Sequence, residues 1–97
     1  MLFRSSRIIR TLGLVDEFQN DLVDVLADPD KMVRREAIES LMHARHPATA
    51  ERLATAAQSS DSHQAGAMEA LSMLRRDARD EKFRQAVQRV ADRLGVA

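Results

Sequence analysis

Two of the three histidines in this 97-residue sequence have a spacing that could serve a metal site. His43 and His46 are three residues apart, which places both imidazoles on one face of a helix. However, helical pairs that bind metal usually bring a third ligand into a dry pocket, and His46 precedes Pro47 where a turn is expected. The two histidines are also explained as polar residues at a helix end, where an imidazolium complements the helix dipole and no metal is needed. We therefore expect no metal site.

Residues 59–63, Ser-Ser-Asp-Ser-His, contain the three residue types of a hydrolase triad. Adjacency in sequence does not give triad geometry, so this segment predicts a turn and a helix cap. The sequence has no Gly-x-Ser-x-Gly, no glycine-rich phosphate loop and no His-Glu-x-x-His. It also has no cysteine for a thiolate site or nucleophile. We expect a protein that is not an enzyme and needs no cofactor.

Acidic residues offer a binding surface instead of a catalytic site. The net charge is zero, yet residues 14–30 contain six acids and no base. Asp21, Asp24 and Asp28 are spaced by three and four, so they line one helical face that is either solvated or directed at a partner. We take these three as candidate protein-binding residues, with Arg52 and Arg89 as nearby counter-charges.

Basic residues cluster near both ends of the sequence and suggest nucleic-acid binding as an alternative. Residues 1–13 contain three arginines and no acid, and residues 75–97 contain seven bases and four acids. Against this alternative, there is no Trp or Tyr for base stacking, and the acidic block repels phosphates.

The helices that must position these residues repeat along the chain. Residues 36–42 align with residues 66–72 at a shift of 30, and the segments before them align at a shift of 31. Apolar residues recur every three and four positions, which predicts helices, and low aromatic, Gly and Pro contents disfavour a sheet. The first helix of each predicted pair covers 3–12, 31–43 and 62–74, and the second covers 17–27, 47–58 and 80–94. Asp16 with Gln19, and Asp61 with Gln64, have the spacing of a capping box.

Residues 26–41 resemble a HEAT repeat of the short bacterial, phycobilisome-lyase-like kind. The resemblance rests on a helix that ends in Leu, the turn Asp28-Pro29-Asp30, and Val33-Arg34 followed by Ala and Leu. It implies an all-α fold, a right-handed α-solenoid of about three antiparallel helix pairs whose second helices line a concave face. The repeats would cover approximately 1–29, 30–60 and 61–97 of a single domain. It also implies Asp-to-Arg bridges between neighbouring repeats.

These features favour a scaffold module that binds another protein or a neighbouring domain of a longer parent. The apolar residues Met1, Leu2 and Phe3 predict that the N-terminal end is either a cut through a longer array or a homodimer contact. A lyase-like or enzyme accessory domain is a further alternative, which no residue supports. Without a signal-peptide pattern or a membrane-spanning stretch, we expect a cytoplasmic location.

Overall fold

In a computed structural model of the chain, residues 15–59 and 61–96 are described, and within these ranges helices are the only regular secondary structure. The helices are α1 (Gln19–Val25), α2 (Lys31–Leu41), α3 (Pro47–Ala57), α4 (His63–Asp77) and α5 (Glu81–Leu94). The prediction of an all-α fold is confirmed. The helix expected over 3–12, the three N-terminal arginines and the apolar N-terminal end lie outside the described residues.

The five helices pack as two layers. Helix α3 contacts α1 on one side and α5 on the other, so α1, α3 and α5, which are the predicted second helices, form one layer. Helices α2 and α4 contact each other and form the second layer. Contacts of α1 with α2 and of α4 with both α3 and α5 join the layers. This arrangement is that of a short helical solenoid.

Small side chains allow these helices to approach closely. Alanine accounts for eleven of the 23 buried apolar residues of the described ranges, and Phe83 is the largest side chain that is fully buried. Gly66 is a point of very close approach, because a Cβ atom there would lie 2.0 Å from the carbonyl oxygen of Leu26. Only glycine therefore lets α4 pack this tightly against the residue that follows α1.

Local capping groups fix several helix ends. The Asp30 carboxylate accepts a hydrogen bond from the Met32 N–H (2.8 Å) at the start of α2, and Asp80 accepts one from the Phe83 N–H (2.9 Å) at the start of α5. Gly95 ends α5 in the left-handed conformation, at φ 71°. Each cap satisfies backbone groups that the first or last helical turn leaves without a partner.

Two predictions about caps and helix ends were wrong. Asp16 does not cap α1, whose N-cap residue is Phe18 without a side-chain hydrogen bond. His46 does not complement the end of a helix as an imidazolium, because it is the N-cap of α3 and its Nδ1 atom accepts a hydrogen bond from the Ala48 N–H (3.1 Å). An accepting nitrogen carries no proton, and a positive ring there would oppose the dipole of α3.

Candidate protein-binding surface

The three predicted aspartates lie together on α1 and the turn after it. Asp21, Asp24 and Asp28 line one open depression of about 400 Å³, with Val25 and Ala27 as its other described lining residues. Asp24 is exposed, whereas Asp21 and Asp28 are half-buried. Asp28 also shapes the following turn, since its carboxylate accepts a hydrogen bond from the Asp30 N–H at 2.8 Å. The depression is therefore strongly acidic.

A second depression, of about 170 Å³, shares Asp24 with the first as a lining residue. Its lining comes from α1, α3, the loop between α3 and α4, and the start of α4, and comprises Asp24, Arg52, Thr55, Ala56, Ser59, Asp61 and His63. Arg52 and Asp24 thus line the same depression. The Arg52 side chain is held by a hydrogen bond from its Nε atom to the Asn20 side-chain oxygen (2.8 Å). Arg89 lies on the exposed face of α5 and lines neither depression.

His63 joins the two sides of this second depression. Its Nε2 atom lies 3.3 Å from Oδ1 of Asp24, and its Nδ1 atom lies 3.0 Å from Oδ1 of Asp61. Residues 59–63 were predicted to form only a turn and a cap, and the Asp61 carboxylate does accept a hydrogen bond from the His63 N–H (2.9 Å). The spacing of these residues did not indicate that His63 reaches Asp24 of α1.

Hydrogen bonds to its carboxylate lower the pKa of Asp61 from its ordinary value of 3.8. The largest cause is the backbone N–H of His63, followed by hydrogen bonds with the side chains of Ser59 and His63. Because these groups favour the ionised carboxylate, Asp61 stays charged to lower pH than a free aspartate does. The second depression therefore keeps this negative charge in mildly acidic solution.

A third depression, of about 280 Å³, separates the Asp-Pro turn from α4, and Arg34 crosses it. The Arg34 Nη1 atom donates to the carbonyl oxygens of Asp28 (3.1 Å) and Pro29 (3.0 Å), and its Nε atom lies 3.4 Å from the Glu69 carboxylate. The expected Asp-to-Arg bridge is not formed at Arg34, whose ion-pair partner is instead Glu69 of α4. Arg34 contacts Asp28 through the backbone alone.

The start of α5 repeats the pattern seen at the start of α2. Asp80 caps α5 as Asp30 caps α2, and the Arg84 Nη1 atom donates to the Ala78 carbonyl oxygen at 3.2 Å, as Arg34 does to Asp28. A shift of 50 residues aligns the two segments, and this shift is outside the period of about 30 residues that the sequence repeats suggest. Asp and Arg four residues apart are the signal that could have found it.

Polar contacts also link neighbouring helices of the α1, α3 and α5 layer. Arg52 of α3 reaches Asn20 of α1, and Glu51 of α3 lies 3.3 Å from the Arg93 guanidinium of α5. Both pairs are exposed or nearly so, which limits each to at most about 1 kcal/mol of stability. Their main effect is to orient long side chains along the outer surface of this layer.

Two kinds of site are not found among the described residues. No group of three or more His, Asp or Glu side chains there is placed to hold a metal ion. No helix in the same part of the chain combines the length and the apolar character needed to cross a membrane.

The family model for HEAT repeats matches residues 6–72, about two thirds of the chain. The chain belongs to the HEAT repeat family. Neither a curated protein nor a solved structure matches it. The matched range of this HEAT repeat protein ends within α4, so α5 lies beyond it. The Asp cap and Arg contact at the start of α5 resemble those at the start of α2, although the two helices lie in different layers.

Proposed function

We propose that this HEAT repeat protein is a non-enzymatic scaffold that binds another protein, or a neighbouring domain of a longer parent. HEAT repeats are generally protein-interaction modules, and the layer of α1, α3 and α5 offers the exposed surface for such contacts. The observation that carries the proposal is the acidic depression on α1. Three carboxylates line it, and no basic residue does so among the described residues.

This charge pattern favours a partner segment that contains lysine or arginine. Asp24 belongs to both the 400 Å³ and the 170 Å³ depressions, so a cationic side chain in either one meets the same carboxylate. Individual exposed ion pairs contribute at most about 1 kcal/mol, so such a partner needs several of these contacts. Association that depends on them weakens as salt screens the charges. Arg89 on α5 and Arg52 on α3 would contact acidic residues of the same partner.

Charge reversal tests the proposal. We expect the double variant Asp21→Lys/Asp24→Lys to keep its helical circular dichroism and to lose about tenfold or more of the affinity for a partner captured from the source cells. The matched control is Glu17→Lys/Asp77→Lys, which makes the same change in charge at two exposed residues outside both depressions. Equal capture by wild type and the Asp21/Asp24 variant would refute the acidic surface as the binding site.

The proposal also includes the subtype of the repeat, the limits of the repeats, the location of the protein and its oligomeric state. The phycobilisome-lyase-like subtype is supported by the Asp-Pro-Asp turn and the Arg34 contacts at its edge. The repeat limits 1–29, 30–60 and 61–97, the cytoplasmic location and the homodimer through the N-terminal end stay predictions. Light scattering on the purified chain checks the homodimer, and a strictly monomeric chain would contradict it.

A further inference from the structure

The imidazole of His63 lies between two carboxylates from separate parts of the fold. Asp61 precedes α4 and belongs to the same turn as His63, whereas Asp24 belongs to α1 and is 39 residues away in the sequence. The His63 side chain is 29% exposed, so the contact is partly shielded from water. This ring therefore forms a side-chain link between α1 and α4.

The number of protons on the ring decides how many of these contacts are hydrogen bonds. An imidazolium has two N–H donors, a neutral imidazole has one, and an ionised carboxylate only accepts. Both contacts of His63 can be hydrogen bonds only when the ring carries two protons. After loss of one proton, one unprotonated ring nitrogen faces a carboxylate oxygen, and these two acceptors repel each other.

Of the two carboxylates, Asp24 is the one that can move away. Asp61 is fixed by the backbone N–H of His63 at 2.9 Å, independently of the ring. The Asp24 side chain is 65% exposed and lines two open depressions. We propose that His63 is a pH-dependent latch between α1 and α4, which holds Asp24 when the ring carries two protons and releases it when the ring carries one.

The other charged group in this depression is Arg52 of α3. Its guanidinium is held by Asn20, and its positive charge acts against an imidazolium while favouring both carboxylates. No charged residue of α2 or α5 lines the depression among the described residues. With Asp24, Asp61 and Arg52 charged, the depression is neutral when the latch is closed and carries one net negative charge when it is open.

Opening the latch has a consequence that rests on the proposed function. Asp24 is a candidate binding residue, and in the closed state its Oδ1 atom is occupied by His63. A cationic partner therefore competes with His63 for Asp24 at low pH and meets a free carboxylate at higher pH. The latch thus regulates the acidic surface through the number of protons on the His63 ring.

Hydrogen exchange of the isolated chain tests the latch without any partner. The measured quantity is a protection ratio: the protection of α1 amides divided by that of α5 amides, each corrected for intrinsic exchange. This ratio is compared at about pH 5.5 and about pH 8. We expect the ratio in wild type to fall on the order of twofold to fivefold at the higher pH, the size of an exposed ion pair. The variants His63→Gln, which removes the imidazole ring, and Asp24→Asn, which keeps the shape of the side chain and removes its charge, should show no such fall.

A matched control is Glu17→Gln, which removes an exposed acid just before α1 and should behave as wild type does. A wild-type ratio that does not change with pH would overturn the latch. So would a pH effect that persists in His63→Gln, since His43 and His46 remain in that variant. A latch that responds as expected, together with partner capture that survives reversal of Asp21 and Asp24, would refute the proposed binding surface alone. A wild-type ratio that does not change with pH, together with partner capture that is lost in the Asp21/Asp24 variant, would refute the latch alone.

Discussion

Replacing Gly66 with alanine tests the close packing between α4 and the end of α1. A Cβ atom at this position would lie 2.0 Å from the Leu26 carbonyl oxygen, 2.8 Å from its carbonyl carbon and 2.9 Å from its Cβ atom. The nearest obstacles are backbone atoms, which no change of rotamer can remove. Relief to an ordinary contact near 3.4 Å requires α4 to move by roughly 1.4 Å.

Two opposing effects set the size of the change. Alanine is a better helix former than glycine by about 1 kcal/mol, and this effect alone would stabilise α4. Inserting an atom into a tightly packed contact costs about 1–3 kcal/mol. The same displacement would weaken the contact between Arg34 and Glu69, which at 3.4 Å is already long. We expect Gly66→Ala to lower the free energy of unfolding by about 1–2 kcal/mol in total.

Urea denaturation followed by circular dichroism measures this difference. The matched control is Ala65→Gly at the neighbouring exposed position of α4, which should lose about 1 kcal/mol from helix propensity alone. The sign of the Gly66→Ala effect on the free energy of unfolding shows whether the clash or the helix propensity is larger. A stabilisation of about 1 kcal/mol, as at an open helical position, would show that α4 does not approach Leu26 this closely.

Two further predictions concern carboxylates that accept several hydrogen bonds. Asp16 accepts from the backbone N–H groups of residues 45 and 46 and from the buried Thr49 hydroxyl (2.7 Å), so Asp16→Ala should cost about 2–3 kcal/mol in urea denaturation. The adjacent exposed Glu17→Ala should cost less than about 0.5 kcal/mol, and equal losses would contradict the role of Asp16. Asp61 has a lowered pKa in the folded chain, so its contribution is complete above the ordinary aspartate pKa and is lost as pH falls through the lower folded value. Between about pH 5 and about pH 2.5, wild type should therefore lose more stability than Asp61→Asn, and a parallel loss in both would refute this assignment.

Helix ends that depend on neighbouring residues could be predicted closely. Helix α3 was expected over 47–58 and spans Pro47–Ala57, because proline is well suited to the first helical position. Helix α5 was expected over 80–94 and spans Glu81–Leu94, because the Asp80 cap and the left-handed Gly95 define its limits. In both helices the deciding interactions lie within a few residues in the sequence.

Asp16 shows why local spacing fails where a distant group competes. Its spacing from Gln19 fits a capping box, yet its carboxylate binds the loop before α3, about 30 residues away. The N–H groups of that loop and the buried hydroxyl of Thr49 need an acceptor, and leaving them without one costs more than leaving the start of the short helix α1 uncapped. A sequence shows which side chains can accept hydrogen bonds, but not which distant donors will lack a partner.

The contact between Asp24 and His63 likewise depends on a distance that the sequence does not show. Gly66 lies three residues after His63 on α4, and Leu26 lies two residues after Asp24, so the approach that requires glycine also brings the pair together. Gly66→Ala should therefore abolish the pH response of α1 protection as His63→Gln does. Ala65→Gly should keep that response, although it too destabilises α4. If both variants kept it, the latch would not depend on the close approach of α4 to Leu26.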